Sequence, residues 1–182
     1  YDTFTYEFFA KPTAIQSIDP ESHEGVSGIK GKRYAIGPSI FPEPHRAGAG
    51  ISVGTNGVAI YEHATNYLPA VLVYETAIHD WTHIAVVYQQ KTPSLYINGR
   101  FVKKGKKSMK EHIHPSAIFG GFSPYGFYRG ELKDIRIWNH ARTEEQIHAS
   151  MNQPLTGTES GLYYHYNQSP EITSDQYEKK QV

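Results

Sequence analysis

The sequence predicts an all-β protein, a two-layer antiparallel β-sandwich carrying one short helix near its C-terminal end. Three observations carry that expectation. The run from Trp81 to Tyr88 is rich in β-branched and aromatic residues and contains no Gly or Pro. Its alternating sets, Trp81-His83-Ala85-Val87 and Thr82-Ile84-Val86-Tyr88, are both largely apolar, so both faces are expected to meet protein, as in a central strand. Secondly, Asn56-Gly57 and Asn98-Gly99 are hairpin dipeptides, because both residue types tolerate positive φ. Thirdly, the apolar segments are short and separated by turn residues, and only one stretch has the signature of a helix start.

Phe4 to Ala10 is the first strand, with Phe4, Tyr6 and Phe8 alternating against Thr5, Glu7 and Phe9, and Lys11-Pro12 closing it. Residues 13 to 32, with Pro20, Gly25, Gly28 and Gly31, read as a long loop. Arg33 to Gly37 is a second strand, and Pro38 to Gly48 a second loop. Ala49 to Gly54 and Gly57 to Tyr61 form a hairpin; Leu68 to Tyr74 follows, with Pro69 at its start. Gln89 to Pro93 turns the chain into Leu95-Tyr96-Ile97, and Arg100-Phe101-Val102 leaves the next turn, completing a meander. His112 to Pro115 reads as a link, Ala117 to Gly121 as a strand and Phe122 to Gly126 as a turn. In the last long strand, Leu132, Asp134, Arg136 and Trp138 are expected to face away from Lys133, Ile135 and Ile137. Thr143 and Gln146 have capping-box spacing, Glu144 and Glu145 suit the positive helix end, Ile147 and Met151 give one apolar stripe, and Pro154 ends the helix. Gly161 to Tyr166 is a closing strand. Residues 1–168 thus read as one domain and 169–182, poor in apolar residues, as a tail or inter-domain linker.

Composition narrows the function. Formal net charge is zero and the sequence pI about 7.3, which argues against a nucleic-acid partner. The run Lys103-Lys104-Gly105-Lys106-Lys107 is read as a solvated hairpin end, with a patch for an anionic glycan or phosphate as the alternative. The absence of cysteine excludes disulfides, thiolate metal sites and cysteine nucleophiles. No apolar run reaches membrane-spanning length, so no membrane insertion is expected. The chain shows no signal peptide and opens in strand-like sequence, reading as a piece of something longer.

Several segments carry a family likeness. Phe4-Thr5-Tyr6-Glu7-Phe8-Phe9-Ala10-Lys11-Pro12, Trp81-Thr82-His83-Ile84-Ala85-Val86, Leu95-Tyr96-Ile97-Asn98-Gly99, Gly130 to Asn139, Ala141 to Ile147 and Gly161-Leu162-Tyr163 resemble, in order, the conserved blocks of laminin-G-like, concanavalin A-like jelly-roll domains in their bacterial form. The resemblance spans residues 3 to 167 and implies two curved antiparallel sheets. It further implies a non-catalytic, lectin-like accessory domain of a larger secreted or cell-surface protein, bacterial in origin. Its partners would be carbohydrate or a cell-surface protein, beside neighbouring domains of the same chain. A structural or protein-adhesion module without sugar binding is the alternative. In related sandwiches an Asp matching Asp134 anchors a structural Ca²⁺ with loop carbonyls, here assigned to Gly25 to Gly31; pairing of Asp134 with Arg136 or Lys133 is the competing account.

Hydrolysis by a carboxylate pair on one strand face is not expected, since no such pattern occurs inside a strand. His-Glu-x-x-His and Gly-x-Ser-x-Gly are likewise missing from the sequence. His112 and His114 are spaced to share a strand face, as some metal ligands do, although a polar turn is the preferred account; His83 is expected as a hydrogen-bonded core residue. Sugar recognition needs aromatic faces beside polar side chains. The loop clusters that offer both supply Tyr61, His63, Asn66 and Tyr67 from one stretch and Tyr125 and Arg129 from another. Plain packing is the competing account for most of the fourteen tyrosines.

Overall fold

The structure, a computed structural model, describes residues 1–167. In chain order the strands are β1 (Phe4–Pro12), β2 (Tyr34–Gly37), β3 (Arg46–Gly54), β4 (Gly57–His63), β5 (Ala70–Glu75), β6 (Thr82–Gln89), β7 (Thr92–Ile97) and β8 (Arg100–Lys104). Then come β9 (His112–His114), β10 (Ile118–Phe119), β11 (Gly121–Phe122), β12 (Gly126–Phe127), β13 (Gly130–Trp138), the helix α1 (Glu144–Ser150) and β14 (Leu162–Tyr166). Sheet 1 has the order β14-β13-β1-β6-β7-β8; sheet 2 has the order β10-β2-β3-β4-β5, with β9 pairing in parallel to β3. The two-layer sandwich is therefore as the sequence predicts. The tail assigned to 169–182 lies outside the described residues.

The main core lies between the sheets. Phe4, Tyr6 and Phe8 of β1 meet Ile84, Val86 and Tyr88 of β6 and Ile51, Val58 and Ile60 of sheet 2, all buried. The opposite faces are covered by different means. On sheet 1, Ala85 and Val87 pack under Ile147 of α1, which explains why β6 is apolar on both faces. Thr143 caps that helix with the reciprocal box the sequence suggests. On sheet 2, Tyr34, Ala59, Tyr61, Leu68, Ala70 and Val73 form a second cluster, with Ile18 and Ile29 of the long loop packed against it.

The turns follow their chemistry. Asn98 and Gly99 have φ of 50° and 76°, the left-handed pair a two-residue hairpin requires. Gln90 and Lys91 make the β6–β7 turn the same way, with φ of 48° and 68°, although neither is a usual residue there. His112 to His114 pairs as a short strand instead of forming a mere link: His112 contacts Asp2 at 3.1 Å, and Nε2 of His114 accepts from Arg46 at 3.1 Å, so neither imidazole is free to ligate a metal as a pair.

The alternation expected along β13 fails at one place, for a local reason. Asp134 has φ of 52°, and the β1 register slips between Glu7 and Phe9, the mark of a bulge. Leu132, Ile135 and Ile137 all reach the core, while Lys133, Asp134 and Arg136 lie on the far face of sheet 1. The extra residue is what sets Lys133 and Asp134 side by side there.

Candidate ligand-binding surfaces

The residues nominated from sequence separate. Tyr61 is fully buried; its hydroxyl donates to Asp19 at 2.7 Å, and Lys32 reaches the same carboxylate at 2.5 Å. Tyr34 beside it donates to the Gly28 carbonyl at 2.8 Å. Gly28 sits so close that a Cβ there would meet Tyr34, Tyr61 and Leu68, so the loop lies directly on the rings. Tyr61 therefore presents no ring face to a sugar, a correction to its nomination: the long loop is the lid of sheet 2. Gln16, Glu21 and Ser27 complete that lid, bonding to the Gly57 carbonyl, the Val73 amide and the Leu68 carbonyl.

His63 and Tyr125 do meet, edge to face at 4.9 Å between ring centres. His63 is only 6% exposed, its Nδ1 finds no partner among the described residues, and burial holds its pKa down at about 4. Tyr125 also packs on Phe122 and Arg129 is half-buried, its carbonyl accepting from Thr13 at 2.9 Å. Asn66 is an exposed turn residue with φ of 55°. Tyr67 leaves this group: its hydroxyl donates inward to Glu62 at 3.1 Å. Glu62 is buried between the sheets and accepts also from Tyr88 at 3.2 Å and Ser108 at 2.6 Å. Burial drives its pKa up to about 7, against the opposing pull of those hydroxyl donors. The Tyr67 ring lines a groove of about 430 Å³ with His23, His45, Met109 and Lys110, and the Lys110 ammonium sits 4.2 Å over that ring.

The far face of sheet 1 is arranged differently. A groove of about 390 Å³ runs between β1, β13 and the segment after α1, lined by Phe9, Lys133, Asp134, Asn152, Gln153 and Asn167. Phe9 and Trp81 are half-buried, and the Lys133 ammonium lies 5.3 Å from the first ring and 4.2 Å from the second. Arg136, 1% exposed, ties the two walls together: it grips Asp134 with two hydrogen bonds, of 2.9 and 2.5 Å, and donates to the carbonyls of Ser150 and Gln153 at 2.9 and 2.8 Å. His165 of β14 meets the same carboxylate at 2.9 Å. Next along the face, Glu7 is held by Arg142 at 2.5 Å and His83 at 3.3 Å. Burial raises the pKa of Glu7, but these two partners outweigh it and the net shift is downward.

The calcium arrangement is not assembled. Both oxygens of Asp134 are taken by Arg136 and His165, so the pairing account applies. The Gly25 carbonyl, expected to join it, faces Leu68 on the far side of sheet 2 instead. Among the described residues no group of three or more His, Cys, Asp or Glu is placed to hold a metal. The donor set does not fit Ca²⁺, which wants six to eight oxygens free of competing cations.

Sequence reasoning missed Phe9, Trp81, Lys133, Asn152 and Gln153. One signal was present: Phe9 is an aromatic in the polar half of the β1 alternation, with Thr5 and Glu7. The bulge that turns Lys133 outward leaves no such mark.

Fold and grooves together define a lectin-type β-sandwich whose open surfaces lie on the outside of its sheets. The chain belongs to the concanavalin A-like lectin/glucanase superfamily, through a laminin G family model that matches residues 2–148. Among solved structures it is similar to a candidate carbohydrate-binding protein from Bacteroides ovatus, at 17% identity and a TM-score of 0.53, covering 91% of this chain and 45% of that one. It is also similar to domain 4 of AbnA, an extracellular arabinanase from Geobacillus stearothermophilus solved with arabinotriose, at 16% identity and a TM-score of 0.50, covering 81% and 66%. A SAP-like pentraxin from Limulus polyphemus matches at 17% identity and a TM-score of 0.52, covering 83% and 71%. At such identities the likeness is one of fold. The chain thus spans about half the length of the Bacteroides protein and two thirds of the arabinanase domain. No curated protein matches it at a significant level. Among the described residues no helix is long and apolar enough to cross a membrane.

Proposed function

We propose that the chain is a non-catalytic, lectin-like accessory domain that binds carbohydrate, set within a larger secreted or cell-surface protein. The observation that carries this reading is the sheet 1 groove, where the half-buried ring of Phe9 lines the same hollow as the exposed Asn152 and Gln153, and Lys133, also in that lining, reaches the half-buried ring of Trp81. Aromatic rings stack on the apolar faces of sugars while amides bond their hydroxyls. Two similar folds, one described as carbohydrate binding and one solved with arabinotriose, support it. The single carboxylate that lines the groove among the described residues, Asp134, is already committed to Arg136 and His165, which suits binding and not acid–base chemistry.

A glycan array with the wild type and Trp81→Ala tests the reading. Oligosaccharide hits that Trp81→Ala reduces about tenfold or more are expected. Protein on the array with no hits would favour a structural or protein-adhesion module instead, and hits untouched by Trp81→Ala would move the site elsewhere.

A further inference from the structure

We infer that the sheet 1 groove selects acidic sugars, with Lys133 as the residue that reads the anionic substituent; this rests on the carbohydrate reading above. The argument is one of charge matching. Three carboxylates on this face have cationic partners: Glu7 has Arg142, Asp134 has Arg136 and His165, and Glu131 has Lys11 at 3.7 Å; Asp80, before Trp81, accepts from the Trp81 amide. Lys133 has no carboxylate within ion-pair distance among the described residues, and its ammonium rests only on the rings of Trp81 and Phe9. Because Arg136 already offsets Asp134, the one carboxylate among the described lining residues does not cancel Lys133, which stands as a positive charge beside the aromatic rings.

The position of that charge is built, not incidental. The bulge at Asp134 puts two consecutive residues on the far face, so Lys133 lies outward where plain alternation would have turned it to the core. Contact with the rings holds the long side chain at the groove, so less rotamer freedom is lost when a ligand arrives. A sugar lying in the groove would bring a ring substituent within reach of Nζ, and a carboxylate or sulfate ester there makes a charge-assisted bond that a neutral hydroxymethyl group does not. A carboxylate and a sulfate share this chemistry, and the test separates them.

Calorimetric titration with tetragalacturonate, a sulfated tetrasaccharide and neutral xylotetraose, at low and at 0.5 M salt, decides the matter. Uronate or sulfated sugar is expected to bind at least tenfold tighter than the neutral one at low salt, with the advantage shrinking at high salt. Lys133→Gln should remove that advantage while leaving the melting curve unchanged, and Met109→Ala in the other groove should change nothing. The preferred anion assigns carboxylate or sulfate. Equal binding of neutral and acidic sugars, or acidic binding unaffected by Lys133→Gln, overturns the inference and leaves the carbohydrate reading standing. Failure of all three sugars, together with an empty glycan array, removes both.

Discussion

The two outer faces of the sandwich use the same residue types to opposite ends. On sheet 2 the tyrosines stand under a loop that satisfies their hydroxyls: Tyr34 bonds Gly28, and Tyr61 bonds Asp19, itself held by buried Lys32. On sheet 1 the cover is one short helix and the segment behind it, pinned by Arg136 through the Ser150 and Gln153 carbonyls, and it stops short of Phe9, Trp81 and Lys133. The difference teaches that aromatic content does not mark a binding face. What marks it is where the covering segment ends and which polar groups it leaves without a partner. Polar ends that find partners become structure, because an unpaired buried one costs more than the bond it replaces.

The largest expected effect comes from removing the pin on sheet 1. Arg136→Ala strands Asp134 with His165 alone and leaves the Ser150 and Gln153 carbonyls without their donor. Breaking a buried ion pair from one side costs about 3–5 kcal/mol, or roughly 10 °C in melting temperature for a domain of this size. Lys32→Met, the counterpart on sheet 2, should cost less: its ammonium serves Asp19, the Ser17 carbonyl and, at 5.5 Å, the Tyr61 ring, and the methionine keeps the apolar stem. Denaturant unfolding of both variants checks the order. Equal losses would mean that the two covers are tied down alike, and the comparison would fail.

How much of this was legible in the sequence follows from the same physics. The sheets, the Asn98-Gly99 turn, the capped helix and the two-sided burial of β6 depend on local pattern, and local pattern is what a sequence displays. Tyr61 and Tyr67 went astray because a ring flanked by polar residues looks like a loop-borne platform until Asp19 and Glu62 are seen to receive the hydroxyls, 42 and 5 residues away. Lys133 was hidden by the bulge, since one non-glycine residue in the left-handed region reverses every later side chain on its strand. Asp134 shows the opposite case: pairing with Arg136, two positions along, was among the accounts its neighbours already suggested.

A second test divides the interior from the outside at adjacent residues. Glu62 points between the sheets and His63 away from them, and burial shifts the two in opposite senses. Glu62 holds its proton in the fold up to about pH 7, against an ordinary 4.5, so its contribution is full below pH 4.5 and is lost as pH rises through 7. His63 stays neutral in the fold down to about pH 4, against an ordinary 6.5, so its contribution is present above 6.5 and is lost as pH falls through 4. Each spans on the order of 3 kcal/mol, and between pH 4.5 and 6.5 they oppose. His114, also held near 4, acts with His63. Glu62→Gln should therefore steepen the rise of stability with pH across that window, and His63→Phe should flatten or reverse it. Parallel pH profiles for wild type and both variants would mean that neither group is buried as described.

The smallest effect separates a structural tyrosine from a binding one. Tyr61→Phe removes a hydroxyl whose partner, Asp19, keeps Lys32 at 2.5 Å, so the carboxylate stays paired and the ring keeps its packing against Tyr34. The loss should be about 1 kcal/mol, that of one hydrogen bond to a charged acceptor whose other partner remains. Affinity for any sugar should not move, because the ring lies beneath the Gly28 loop and on the sheet opposite the Trp81 groove. A fall in affinity at unchanged stability would show that the lid on sheet 2 opens to admit ligand, and the two faces would exchange roles.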